Sequence, residues 1–131
     1  MPVKPERSFV VWLIAVVAVV FGLLTIKAGG VVIFIDGADR QAAGNYVPFV
    51  LWFNFLAGFV YIIAGTGLWL QKRWAVKLSV LIAVATVIIY ALFGLHIFGG
   101  GLYEKRTIIA MSLRSVVWAV IAILAHRQIR V

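Results

Sequence analysis

Few side chains in this sequence can carry chemistry, and Arg114 is foremost among them. It lies near the middle of TIIAMSLRSVVWAVIAILAH, residues 107–126, which is long enough to cross a bilayer as a helix. A cation at membrane depth costs roughly 2.5–3.5 kcal/mol on insertion scales, so such a residue marks a functional site by default. Every other ionised side chain falls where a loop or a membrane surface can hold it. Asn54 and Tyr90, on two other apolar runs, fall at about the depth of Arg114. Together they predict a small polar pocket open to the outer side. Arg114 is its anion anchor, Asn54 and Tyr90 its hydrogen-bond partners, and Asp36, Asp39, His96 and Glu104 surround its mouth. Two other readings of Arg114 stay open: it snorkels or pairs with Asp36 or Asp39, or it faces a partner protein. It sits about 120° from the small-residue stripe of its own helix, which keeps those readings alive.

Catalysis lacks its components. No carboxylate falls inside an apolar run, no Ser, His and acid converge, and no metal triad has ligand spacing, so the chain reads as a non-enzyme. There is no cysteine, which excludes disulfides and thiolate metal sites. His96 and His126 invite haem ligation, but they close opposite ends of consecutive runs, nearly a bilayer apart. Phe49, Trp52, Phe53, Phe55, Phe59 and Tyr61 offer a surface for a quinone or a lipid, although an interfacial aromatic belt accounts for most of them. No cofactor or metal is expected. The net charge of +8 gathers at the ends of apolar runs, a pattern of topology signals and anionic-lipid contact rather than of nucleic-acid binding.

Four apolar runs must position these residues. The 131 residues are 65% hydrophobic and 12% charged, against about 45–50% and about 25% in soluble domains. The runs cover residues 8–26, 47–70, 76–98 and 107–125. Each reaches the ~20 residues that a membrane helix needs. QKRWAVK and GGGLYEKR between the later runs are tight turns, so those neighbours are antiparallel. The prediction is an all-α integral membrane four-helix bundle, one domain over 1–131. The first run is read as a retained helix rather than a signal peptide, because Lys27 occupies the place where cleavage is expected.

Lys4, Arg7, Lys72, Arg73, Lys77, Arg127 and Arg130 fall on one side and Lys27, Arg40, Lys105 and Arg106 on the other; seven against four puts both termini in the cytoplasm. Trp12, Trp69 and Trp74 form the inner aromatic belt, and Tyr46, Trp52 and Tyr103 the outer one. The outer loop, 27–46, contains VVIFI, too short to span and too apolar to stand free in water. A re-entrant turn, a surface strand and an extension of the first helix past Gly29-Gly30 all suit it, and a folded-back outer cap is the favoured form. Small residues that permit close helix approach line up as Ala15, Ala18, Gly22, Thr25 and Gly29. In the second run they are Ala57, Gly58, Ala64 and Gly65, and in the fourth Ser112, Ser115, Ala119, Ala122 and His126.

FGLLTIKAGG, closing the first run, and AGTGLWLQKRWA, closing the second, resemble the small four-helix bacterial inner-membrane proteins grouped as DoxX-like. The resemblance covers these two runs, about half of the chain. It implies a bacterial inner-membrane location and, through some members, a link to quinone-dependent oxidases; it carries over no site residue. Small size, short loops and absent catalytic groups point to an accessory, non-catalytic subunit of an inner-membrane complex, partnered by other subunits or by copies of itself. The alternative is a homo-oligomeric channel or carrier for a small solute or anion, with Arg114 in the pathway.

Overall fold

The computed structural model describes residues 9–35, 37, 41, 44 and 47–129. Four helices account for most of the described residues: α1 Phe9–Phe34, α2 Pro48–Trp69, α3 Arg73–Phe98 and α4 Lys105–Gln128. All four are long and apolar enough to cross a membrane. No more than a third of each helix's most apolar stretch is buried, and Leu23, Leu24, Leu81, Val116 and Ile123 are all more than half exposed. An exterior this apolar suits lipid and not water. We call the end that carries the α3–α4 turn the upper end, and the end where α4 terminates the lower end.

Each helix packs on the next in sequence, and α4 returns to α1; the α1–α2 contact is the most extensive and the α4–α1 contact the thinnest of the four. Glycine explains the first. A Cβ on Gly22 would lie 2.6 Å from the Gly58 carbonyl oxygen, and one on Gly58 would lie 3.0 Å from the Gly22 carbonyl oxygen. Two turns lower, a Cβ on Gly65 would meet Val19 at 2.7 Å. Lipid offers no hydrophobic drive to associate, so van der Waals contact between bare backbones holds this pair. The buried face of α1 contains all five small residues singled out in the sequence, together with Val11 and Ile14.

α1 is longer than its apolar run predicts. It continues through Lys27, Gly29, Gly30 and VVIF to Phe34, so residues 27–34, expected in the loop, are helical, and of the three forms open to VVIFI the extension of the first helix is the one seen. Helical glycine costs only about 1 kcal/mol relative to alanine. Here Gly29 also lets α1 close on Phe55, to which a Cβ would come within 3.1 Å. Phe34 then meets Trp52 and Phe55 edge-on, with centroids at 6.0 and 5.6 Å. α3 and α4 likewise begin two or three residues before their predicted runs, and α4 continues to Gln128.

Both described turns between helices close in the same way. After α2, Lys72 N–H donates to Gly67 O and Gln71 N–H to Leu68 O; after α3, Gly101 N–H donates to His96 O and Gly100 N–H to Ile97 O. This double bond pattern needs a left-handed residue past the helix end. Gly100 supplies it at φ 88° and Gln71 at φ 56°.

Two apolar clusters fill the interior. The larger, lower one is built on Ala18, Tyr61, Leu68, Val76 and Trp118; the smaller, upper one on Val47, Val50, Phe93 and Met111. Between them lie Thr25 on α1, Thr86 and Tyr90 on α3 and Arg114 on α4, with Asn54 of α2 above them beside the upper cluster. This polar seam divides the core.

If the Gly22–Gly58 approach holds α1 on α2, Gly22→Ala should destabilise the protein by about 1–3 kcal/mol through overpacking. A Cβ on Gly94 of α3 meets nothing within 4 Å. Gly94→Ala should therefore be neutral or stabilise by up to about 1 kcal/mol. Unfolding of the purified protein from mild detergent into mixed micelles compares the two directly.

Candidate functional site

Arg114 is half-buried at the α4–α1 contact. Its Nη1 donates to Thr25 Oγ1 at 2.9 Å, and its guanidinium lies over the Phe21 ring, 5.0 Å from the centroid. The inward face of α4 is set mainly by large residues. Met111, Trp118, Ile121 and Ala125 are buried; of the small stripe Ala122 is buried, Ser112 and Ser115 are half-buried, and Ala119 and His126 are exposed. Met111, Arg114 and Trp118 are spaced i, i+3, i+7, which places Arg114 on that face. The 120° offset from the small stripe thus turns the arginine toward α1.

The residues below Arg114 are aromatic and carry unpaired polar atoms. Tyr61 and Trp118 are fully buried, with rings 4.8 Å apart and tilted by 37°; Phe21 sits 5.6 Å from Tyr61. The Tyr61 hydroxyl is within interaction range of both Arg114 and Thr86, yet lacks hydrogen-bond geometry with either. Thr86 Oγ1 donates instead to Ile82 O at 2.7 Å. Arg114 Nε, Tyr61 Oη and Trp118 Nε1 are buried without a hydrogen-bond partner. Two of these are obligate donors and the third can donate. Among the described residues no carboxylate pairs with Arg114; the acid–base contact there is Arg106 Nη2 to Glu104 Oε1, at 3.9 Å on the upper end.

The other predicted site residues divide between an upper cleft and local structural roles. Asn54 lines a cleft of about 240 Å³ with Val50 from α2, Glu104 just before α4, and Arg106, Thr107 and Ala110 from α4. Its Oδ1 is buried and unpartnered. Thr107 and Arg114 are seven residues apart, as are Asn54 and Tyr61, so the cleft lies about 10 Å above the Arg114–Tyr61 level on the same helix faces. Tyr90 is not joined to Arg114; its hydroxyl lies 2.6 Å from Ser112 Oγ and fastens α3 to α4. His96 Nε2 meets Leu102 O at 3.0 Å, and its ring fills the space beside Gly101, so it clips the α3–α4 turn. Asp36 and Asp39 lie outside the described residues. His126 is exposed at the lower end, and no group of three metal-ligating side chains occurs among the described residues.

Sequence reasoning did not single out Phe21, Thr25, Tyr61 and Trp118 as neighbours of Arg114. The available signal was the seven-residue spacing of Met111, Trp118 and Ala125, a repeat of large and small apolar residues that marks an inward seam.

Removing the hydroxyl alone should cost more than removing the charge. Thr25→Val takes away a hydrogen bond to an ionised group, worth about 1.5–3 kcal/mol. Arg114→Met removes the unsatisfied cation with it and should cost less or even stabilise. Thr25→Val placed on Arg114→Met should then have little further effect. Micellar unfolding of the two single variants and the double variant measures all three terms.

No protein family, no curated protein and no solved structure matches this chain.

Proposed function

We propose that the protein is a non-catalytic, multi-pass protein of the bacterial inner membrane, a four-helix bundle with both termini cytoplasmic. In this reading it holds a small, acceptor-rich ligand at Arg114 as an accessory component of a larger membrane complex. The observation that carries the reading is the set of unsatisfied buried groups around one guanidinium, Arg114 Nε, Tyr61 Oη and Trp118 Nε1. Each buried polar group left unpaired costs about 1–3 kcal/mol. A ligand with oxygen acceptors, anionic or carbonyl-bearing, removes that cost and gives the cation a partner.

The aromatic walls suit a flat ligand, and a quinone headgroup has both the carbonyl acceptors and the shape; this is also the chemistry implied by the DoxX-like resemblance. The upper cleft at Asn54, Glu104 and Thr107 supports entry from the outer side. Below the seam Ala64, Leu68, Ser79 and Ala125 are fully buried, which favours a closed-ended binding site over a channel or carrier through Arg114.

Protein isolated from its native membrane in mild detergent should release, on denaturation, a small acceptor-rich compound in near-stoichiometric amount, detected by mass spectrometry. Arg114→Met should lower that amount at least tenfold; identical extracts from the two proteins would remove the reading. Fixed-ratio protein partners in the same preparation support the accessory role, and copies of this chain alone support a carrier. Orientation has its own check: a cytoplasm-active reporter fused after Val131 should be active.

A further inference from the structure

On the outer face of the lower half, α3 and α4 leave an open groove of about 410 Å³. Ala83, Ala119 and Ala122 floor it, between the flanks of Val84 and Ile123. Val84 and Ile123 are exposed although apolar, and both belong to helices able to cross a membrane. The groove therefore faces acyl chains when the protein is in a bilayer. Its lower end differs in chemistry, because it closes on His126 and Arg127 in the last turn of α4. Lys77 approaches the same end from α3: it shares a helix face with Val80 and Val84, spaced i, i+3, i+7. All three basic side chains are exposed. Among the described residues the one acid is Glu104, at the opposite end of α4.

We infer that this groove is a binding site for an anionic phospholipid, with one acyl chain along the alanine floor and the phosphate group at Arg127, Lys77 and His126. The alanines leave the width of an alkyl chain where larger side chains would fill the space. The basic end fixes which headgroup is favoured, since basic pockets between membrane helices select lipids of net negative charge. A choline headgroup brings its own cation to the same place. A second copy of the chain in the same membrane orientation is a poorer occupant, because its own Lys77 and Arg127 would arrive at the same depth and like charges would meet. The site is separate from the Arg114 seam and does not depend on the ligand proposed there.

The full-length protein in mild detergent, titrated with phosphatidylglycerol or phosphatidylcholine of matched chains and read by native mass spectrometry, tests the inference. Wild-type protein should retain phosphatidylglycerol preferentially, and equal retention of the two overturns the inference without any variant. Lys77→Gln with Arg127→Gln should reduce phosphatidylglycerol retention roughly 25-fold, about fivefold for each charge. Ala119→Phe, at an exposed position, fills the groove without altering charge and should reduce it as well. Loss in the charge variant with full retention in Ala119→Phe would mean diffuse surface attraction and no groove, which overturns the inference. Loss only in Ala119→Phe would mean no headgroup recognition and overturns it equally. A doubled protein mass carrying no lipid overturns it in favour of self-association.

Discussion

The close approach of α1 and α2 at Gly22 and Gly58 is the contact on which the remainder depends. A bilayer gives apolar helices little reason to choose one another, so geometry must choose. Two bare backbones in contact fix the axial register of this pair to within an atom's width. Three residues beyond each glycine stand Thr25 and Tyr61, the hydroxyl that accepts from Arg114 and the ring that lies beneath it. Phe21, over which the guanidinium sits, directly precedes Gly22. The arginine's surroundings are thus a by-product of the glycine crossing. α4 needs only to present the charge at the right height.

The division of the interior into two apolar clusters follows from the same register. Large side chains, Trp118 and Leu68 below and Phe93 and Met111 above, fill the two clusters. The seam between them gathers one or two polar side chains from every helix, some satisfied within their own helix and some not. Thr86 spends its hydroxyl on the carbonyl four residues back, a local solution that asks nothing of a neighbour. Arg114, Tyr61, Trp118 and Asn54 have no such local outlet.

The four helices were legible in the amino-acid sequence because apolar runs of membrane length have few rivals. The facing surfaces of α1 and α2 were legible too, since glycine and alanine recur there at helical spacing. On α4 the same rule found only part of the packing: its small residues line the α3 side, with Ala122 buried, and an open groove, while Met111, Trp118 and Ile121 look inward. Small residues mark where helices touch closely, whereas α4 meets α2 through large side chains, Trp118 against Tyr61. VVIF was misjudged for a related reason. The glycines before it signal a break in isolation, but here Gly29 is an accommodation for Phe55 across the helix pair, which no single segment can express.

The two described turns share a hydrogen-bond pattern but not a composition. The lower one places Gln71 in the left-handed region, and the upper one places Gly100 there, flanked by Gly99 and Gly101. A side chain restricts the backbone in every state of the chain, whereas three consecutive glycines release a large conformational entropy once their bonds break. Fraying is therefore cheaper at the upper turn, held by the His96 clip, than at the lower one. The two ends of the bundle therefore differ in stiffness: the firmer turn joins α2 to α3 at the lower end, and the more yielding one adjoins the cleft at Asn54 and Glu104.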